Sequence, residues 1–210
     1  APLDALPAGY TSFPPAGTGR LGVPVDLPVW TLNSASVSVF NALYYRRGAK
    51  RSGQTTLVRW DSYFFPLDGI SNWNRIYGVR GFVQHQCVIP EENAERVMTE
   101  ILDLLSSHGE GSFLAVLKLL GPGAGLMSFP RDGLTLALDL PVSEKRLGLL
   151  AQTDALVAQA GGRIYLAKDA CQSRTTFRAG YPNVDAFRAI RRSIGGIAHM
   201  ASILSERLDV

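Results

Sequence analysis

The stretch GFVQHQCVIPEENAERVMTEILDLLSSHG, residues 81–109, contains a predicted strand followed directly by a predicted helix. Its first nine residues are rich in aromatic and β-branched side chains, and Pro90 ends the strand because it has no N–H to donate. From about Glu91 to Ser107, apolar side chains recur at helical spacing, and the glutamates at the start suit the positive end of the helix dipole. We therefore predict a strand over 81–89 and a helix over 91–107, which Gly109 ends.

The residues after this unit continue the alternation of strands and helices. We predict strands over 112–120, 133–140 and 163–167 and a helix over 144–160. In the segment GLTLALDLP, leucine stands at every second position, so the leucines share one face and Thr135, Ala137 and Asp139 share the other. The order strand, helix, strand, strand, helix, strand favours an α+β fold in which an antiparallel sheet has helices packed on one face.

The flanking segments are less regular. Proline and glycine crowd residues 7–28, which predicts an irregular leader. Residues 33–45 have two interpretations, a helix opened by Ser34 or a strand, because SVSV alternates with period two. Three further elements are predicted: an exposed basic loop over 46–54, a strand over 55–65 and a helix over 183–194.

The composition is that of a globular protein. Of the 210 residues, 46% are hydrophobic and 19% charged, which suits one large domain or two small ones. The formal net charge is only +3, so we expect no nucleic-acid partner. No apolar run is long enough to span a membrane, and the start APLDALPAGY does not resemble a signal peptide. Because it also lacks an initiator Met, we expect a processed or cut chain.

The cysteines and histidines indicate neither a metal site nor a disulfide framework. Cys87 and Cys171 are far apart and have no ligand-like spacing to a histidine. Their number and placement predict a reducing, cytoplasmic compartment and a core role for Cys87. The chain also lacks a Ser/His/Asp order and a glycine-rich phosphate-binding loop.

Several polar residues interrupt otherwise apolar strands. Gln84 and Gln86 share a face of their strand, which is either a pocket wall or a solvent-facing edge. Lys118 lies within an apolar stretch, where its ammonium group either reaches solvent or waits for an anionic ligand. Lys168 follows a short strand and stands beside Asp169. It is either a solvated turn residue or a reactive lysine. In the second case Asp169 either keeps the ammonium group charged or accepts its proton.

Four segments together resemble one family. They are FFPLDGISNWNRIYGVRGFVQHQCVIP (64–90), SFLAVLKLLGPG (112–123), SFPRDGLTLALDLP (128–141) and GGRIYLAKD (161–169). In their residues and in their order along the chain, they resemble the decaprenylphosphoryl-ribose 2'-oxidase family. This family consists of FAD-linked sugar oxidases of the vanillyl-alcohol oxidase superfamily. The resemblance covers about residues 55–210 and is weaker before them.

The resemblance implies a domain organisation. Residues 1–54 would be an irregular leader and one helix belonging to the substrate domain, and residues 55–163 the substrate-binding domain itself. Residues 164–210 would return to an FAD-binding domain that this chain lacks. The cofactor would be FAD, bound mainly by that domain of the same polypeptide.

The resemblance also implies site residues. The substrate contacts would come from Gln84, Gln86, Lys118, Thr135 and Phe64, the last as the aromatic residue of a mobile lid. Lys168 and Lys118 would be the catalytic residues, with the choice of base left open, and Tyr165 and Lys168 would contact the flavin. The family has asparagine where this chain has Thr135 and cysteine where it has Ala137, so the sugar contacts differ.

The function implied is oxidation of a secondary hydroxyl of a lipid-linked or free pentose, within arabinose and cell-wall biosynthesis. The substrate would be a small or polyprenyl-phosphate sugar, and a short-chain reductase would be a partner. The isolated chain would be inactive, and a lipid-linked substrate would associate a cytoplasmic protein with a membrane. The alternative is a non-catalytic binding or interaction module that retains the fold.

Overall fold

The computed structural model describes residues 21–55, 58, 60, 63, 65, 69–112, 114–195 and 200–210. The strands of this part are β1 (Leu21–Gly22), β2 (Ile70–Ser71), β3 (Phe82–Ile89), β4 (Ala115–Leu120), β5 (Gly133–Pro141) and β6 (Arg163–Ile164). The helices described from end to end are α1 (Ser34–Ala49), α2 (Glu91–Ser107), α3 (Glu144–Gln159), α4 (Arg174–Gly180), α5 (Val184–Ser193) and α6 (Ile203–Leu208). Short 3-10 segments span Val29–Thr31, Trp73–Tyr77 and Leu166–Lys168.

Four of the strands form one sheet in the order β4-β5-β3-β6. Every neighbouring pair in this sheet is antiparallel. The register places Gln84 opposite Asp139 and Lys118 opposite Thr135. A separate parallel pair joins β1 to β2.

The core lies between this sheet and the helices α2 and α3. Leu136, Leu138 and Leu140 of β5 are buried there among apolar side chains of β3, α2 and α3. Burial of each leucine side chain contributes about 1.5–3 kcal/mol. Because both helices pack on the leucine face, the predicted α+β fold with helices on one face of an antiparallel sheet is confirmed.

The two core helices follow the sequence signals closely. The prediction for 91–107 is confirmed residue for residue as α2, and the prediction for 144–160 as α3, which is one residue shorter. The side chain of Ser143 caps α3 by accepting a hydrogen bond from the backbone N–H of Arg146 at 3.3 Å. Beyond α3, a Cβ on Gly162 would lie 2.5 Å from the carbonyl oxygen of Val88, so only glycine fits the close turn into β6.

A second apolar cluster holds the C-terminal helices together. Its buried members are Phe177, Tyr181, Val184 and Leu208, from α4, α5, α6 and the turn between α4 and α5. The hydroxyl of Tyr181 donates a 2.8 Å hydrogen bond to the carbonyl oxygen of Ile164, which ties this cluster to β6. The predicted helix over 183–194 is confirmed as α5, whereas α4 and α6 were not predicted because each is shorter than two turns.

The sequence interpretation was wrong at several element boundaries. The first helix begins after the N-cap Asn33 and runs through Arg46 and Arg47 to Ala49, so the predicted basic loop over 46–54 is helical at its start. At the described positions of 55–65 no residue is in a strand, and Trp60 and Tyr63 are helical. The predicted strand over 163–167 ends at Ile164, where the chain turns into a 3-10 segment.

The longest of the described helices, α2, has 17 residues. Within the described part of the chain, none combines the length and the apolarity that crossing a bilayer requires.

Candidate functional site

The sheet face opposite α2 and α3 carries most of its polar side chains. Alternation along the strands places on this face Phe82, Gln84 and Gln86 of β3, Thr135, Ala137 and Asp139 of β5, and Lys118 of β4. Four predicted substrate residues, Gln84, Gln86, Lys118 and Thr135, therefore share one surface. We call this sheet face the glutamine surface. The opposite face of the same strands carries the core leucines.

Hydrogen bonds between β3 and β5 fix the two glutamines. The amide nitrogen Nε2 of Gln84 donates to Oδ1 of Asp139 at 3.0 Å, and Nε2 of Gln86 donates to the hydroxyl oxygen of Thr135 at 3.0 Å. Thr135 in turn donates to the carbonyl oxygen of Cys87 at 2.7 Å. Both glutamines are only half-buried, so the rest of each amide group is available to a ligand.

Asp139 is the buried carboxylate of this surface. Its side chain is almost inaccessible, with 2% of the residue exposed, and Oδ2 has no hydrogen-bond partner among the described residues. Burial raises the pKa of this carboxyl group, while the Gln84 hydrogen bond and the positive charge of Lys168 act in the opposite direction. The Asp139 carboxylate is thus held beside one donor and near one cation.

Tyr77 covers the same end of the surface. It ends the 3-10 segment before β3, and its ring stacks on that of Phe82 with 4.6 Å between centroids. Its hydroxyl is buried and, within the described part of the chain, has no partner. Burial, followed by the negative charge of Asp139, raises its pKa. Tyr77 was not among the predicted site residues, although the aromatic run WNRIYG just before a strand was a usable signal.

Lys118 lies at the opposite edge of the surface. It belongs to the edge strand β4, next to Thr135, and its side chain is exposed. Of the two interpretations of this lysine, the structure favours the one in which the ammonium group reaches solvent. An exposed ammonium group beside the Gln86 and Thr135 pair is accessible to an anionic group of a ligand.

Lys168 and Tyr165 border the surface from the β6 side. The backbone N–H of Tyr165 donates to the carbonyl oxygen of Gln86 at 2.7 Å, which continues the pairing of β3 beyond β6. Lys168 ends the following 3-10 segment, is half-buried, and lies within electrostatic reach of Asp139. The ring of Tyr165 packs on Phe129 at 4.6 Å. Tyr165 and Lys168 thus lie at the β6 margin of the sheet, next to the strand that carries the glutamines.

Asp169 does not serve as the partner of Lys168 that the sequence suggested. Its oxygen Oδ1 accepts hydrogen bonds from the backbone N–H groups of Cys171 and Gln172, at 3.0 and 2.8 Å. Its other oxygen accepts from the guanidinium group of Arg207 at 3.0 Å. Both oxygens are thus engaged in holding the loop before α4.

Two predicted features of the site need separate mention. Phe64, the predicted lid aromatic, lies outside the described residues. Ala137 is buried between Gln86 and Val116 in the register of the sheet, at the position where the resembling family has cysteine. The small Ala137 side chain lies between Thr135 and Asp139 on the same face of β5, and so between the Gln86–Thr135 and Gln84–Asp139 pairs.

The helix side of the sheet carries structural polar groups. His85 and Asp154 form a buried pair, with 2.8 Å between Nε2 and Oδ1. Cys87 is buried beside them, and burial raises the pKa of its thiol to about 12, which confirms a core residue. No group of three or more metal-ligating side chains is found among the described residues. A groove of about 580 Å³ between α2 and α3 faces away from the glutamine surface.

Comparison with known proteins identifies relatives of the whole chain. It is 35% identical over 214 residues to the decaprenylphosphoryl-beta-D-ribose oxidase of Mycolicibacterium smegmatis, a match that covers the full chain and 46% of that protein. The chain is a homologue of that oxidase. The resemblance drawn from the four sequence segments is thereby confirmed.

Other comparisons add less. This chain is also 30% identical over 222 residues to a Streptomyces coelicolor protein described as an uncharacterized protein in the mprA 5' region. The match covers the full chain and 59% of that protein. The chain spans about half the length of the curated relatives it matches. No protein-family model matches it.

Proposed function

We propose that this chain is the substrate-binding part of an FAD-dependent oxidoreductase that oxidises a secondary hydroxyl of a lipid-linked pentose. The observation that carries the proposal is the continuous polar surface on the sheet face opposite α2 and α3. Its amide, hydroxyl and carboxylate groups suit a polyol, and its lysines suit a phosphate. The similarity to an oxidase of a phosphoryl-linked ribose supports the same substrate class.

The roles of the side chains follow from their placement. The half-buried amides of Gln84 and Gln86 hydrogen-bond the sugar hydroxyls, because each has donor and acceptor capacity beyond its bond to β5. The exposed ammonium group of Lys118 binds the phosphate. Thr135, at the position where the resembling family has an asparagine, holds Gln86 in position through its hydroxyl group. Phe64 is proposed to shield the ligand from solvent.

The residues of the β6 border fit a flavin. A flavin ring carries carbonyl oxygens and ring nitrogens that accept hydrogen bonds, and Lys168 is a half-buried donor at the margin of the surface. Tyr165 adds an aromatic side chain fixed by Phe129 and by the backbone bond to Gln86. When bound, FAD supplies the acceptor for the hydride of the carbinol C–H group. We propose that Lys168 orients that ring and that a lysine side chain in its neutral amine form, on Lys168 or on Lys118, receives the hydroxyl proton as the hydride leaves.

The domain division belongs to the same proposal. Residues 1–54 and 55–163 together form the substrate domain, and residues 164–210 contact an FAD-binding domain of the same polypeptide. The C-terminal cluster around Phe177 and Tyr181 supports a distinct role for the last segment, since it has an apolar core of its own. A reductase that acts on the resulting keto-sugar and a membrane that carries the lipid are the proposed partners.

The test is substrate oxidation, with an artificial electron acceptor, by an FAD-loaded polypeptide that contains this chain together with the proposed FAD-binding domain. We expect Lys168→Ala to lower kcat by at least about a hundredfold, the usual size of a lost proton-transfer or orienting group. Lys118→Ala should chiefly raise KM, because the phosphate contact is made in the ground and transition states alike. The matched control is Lys50→Ala, an exposed lysine at the end of α1.

The rival function is a binding module that keeps the fold without the chemistry. It predicts that the polypeptide binds the sugar lipid but oxidises none of it, and that neither lysine variant changes any redox readout. Sugar-dependent reduction of the acceptor that is lost in Lys168→Ala but kept in Lys50→Ala would exclude that function.

A further inference from the structure

Two buried polar atoms at one end of the glutamine surface have no hydrogen-bond partner among the described residues. They are Oδ2 of Asp139 and the hydroxyl of Tyr77, and each residue is only 2% exposed. An unmade hydrogen bond at a buried polar atom costs about 1–3 kcal/mol. Buried polar atoms without a partner are uncommon, and they usually meet a ligand or an ordered water in the working protein.

The two side chains belong to the same place in the fold. The register puts Asp139 opposite Gln84, and Phe82 is the next residue of β3 on that face. The Tyr77 ring lies on Phe82 at 4.6 Å between centroids, and its hydroxyl is within electrostatic reach of the Asp139 carboxylate. Asp139 and Tyr77 therefore lie at the same end of this sheet face, beside Phe82.

The chemistry of the pair is complementary. Gln84 occupies the other oxygen of Asp139, so the free Oδ2 can only accept a hydrogen bond while the carboxyl group is ionised. Burial and the Asp139 charge raise the pKa of Tyr77, so its hydroxyl remains a donor at neutral pH. One acceptor and one donor at the same end of the sheet face match a single hydroxyl group, which donates to one and accepts from the other.

We propose that Asp139 and Tyr77 form a hydroxyl-binding subsite for the pentose, in which one sugar hydroxyl donates to Oδ2 of Asp139 and accepts from the Tyr77 hydroxyl. The inference rests on the proposed function for the substrate class, and it adds two residues that the similarity to the oxidase did not indicate. Gln84 fixes the carboxyl group of Asp139 through its other oxygen, Oδ1.

The test compares binding of sugar ligands with single hydroxyl groups removed. The probe is ribose linked through phosphate to a short prenyl chain, together with its 2-deoxy, 3-deoxy and 5-deoxy analogues. The dissociation constant is measured by calorimetry for the FAD-loaded wild type and for Tyr77→Phe and Asp139→Asn. The matched control is Tyr45→Phe, whose parent residue on α1 is 76% exposed. Thermal unfolding of each variant shows that the fold is retained.

The subsite predicts a specific pattern of affinities. Tyr77→Phe and Asp139→Asn each weaken binding of the full ribose ligand by about tenfold, the size of one lost hydrogen bond. For one of the deoxy analogues they cause no further loss, because the bonded hydroxyl is already absent. Tyr45→Phe changes none of the constants.

Three results would overturn the subsite. If the wild type binds the ribose ligand but both variants bind every ligand as the wild type does, a buried water fills the space and only this inference fails. Equal losses for all four ligands would likewise show that the two residues act on the fold and not on one hydroxyl. If the wild type binds no ribose ligand at all, the proposed function fails and the subsite with it.

Discussion

Gln86 and Thr135 are joined across β3 and β5 by a 3.0 Å hydrogen bond, and Thr135 continues it to the carbonyl oxygen of Cys87 at 2.7 Å. The Thr135 hydroxyl group thus fixes the Gln86 side chain at the candidate site and also links β5 to the backbone of β3. Thr135 is buried, so neither bond can be replaced by water without rearrangement.

This relationship predicts the effect of Thr135→Val. The change keeps the shape but removes the hydroxyl, which leaves the Gln86 amide without an acceptor and the Cys87 carbonyl without a donor. We expect a loss of about 1–3 kcal/mol in the free energy of unfolding, measured by urea denaturation. Thr135→Ser keeps the hydroxyl and should lose less, so equal losses for the two variants would refute the role of the hydrogen bonds.

Asp139 predicts a pH dependence of stability. Burial raises the pKa of its carboxyl group above the unfolded value near 3.8, so the native state binds this proton more tightly than the unfolded chain. The stability from this group is fully present below that value and is lost as pH rises through the folded pKa.

The comparison that isolates this effect is Asp139→Asn, which cannot ionise. The difference between its free energy of unfolding and that of the wild type should move in favour of the variant as pH rises from about 4 to 7. Urea denaturation at several pH values measures that difference. A difference that stays constant over this range would show that the carboxyl group is not shifted by its surroundings.

The buried pair of His85 and Asp154 predicts a large destabilisation when one partner is removed. Asp154→Ala leaves the imidazole buried without its hydrogen-bond partner 2.8 Å away, at a cost of about 1–3 kcal/mol. The control is Asp185→Ala, since Asp185 makes exposed ion pairs with Arg178 and Arg188 that contribute about 0–1 kcal/mol. Similar melting temperatures for the two variants would contradict the structural role of the buried pair.

Leucines on the two sides of the core boundary provide a further test. Leu140→Ala removes a side chain buried between the sheet and the helices and should cost about 2–5 kcal/mol. Leu119→Ala removes a side chain of β4 that is 71% exposed, so its free energy of unfolding should be nearly that of the wild type. Chemical denaturation measures both, and a loss at Leu119 as large as that at Leu140 would contradict the assigned layer order.

The sheet and its two main helices could be predicted because their patterns are local. The alternating leucines of GLTLALDLP predicted the buried face of β5. The proline and the glutamates after β3 predicted the start of α2. The pairing of β3 with β5 then brought Gln84 and Gln86 beside Asp139 and Thr135. The period-two pattern thus predicted that Gln84 and Gln86 share a face of β3 and that Thr135 and Asp139 share a face of β5. The pairing of the two strands made these faces one surface.

Other features depend on contacts that a local pattern does not contain. The burial of Tyr77 comes from its stacking on Phe82 across a turn, and no period marks a 3-10 segment. Asp169 looked like a partner of Lys168 because the two are adjacent, but it binds Arg207, which is 38 residues away. Such distant partners decide which acidic group serves the site, and they appear only in the folded chain.

The central claim is that this chain positions a sugar hydroxyl for oxidation by a bound flavin. The most direct measurement is the anaerobic visible spectrum of the FAD-loaded polypeptide while ribose linked through phosphate to a prenyl chain is added. We predict that the oxidised flavin bands bleach in proportion to the sugar added, and that Lys168→Ala slows the bleaching by at least about a hundredfold. A flavin spectrum that stays oxidised with saturating ligand bound, or a polypeptide that binds no flavin, would contradict the account.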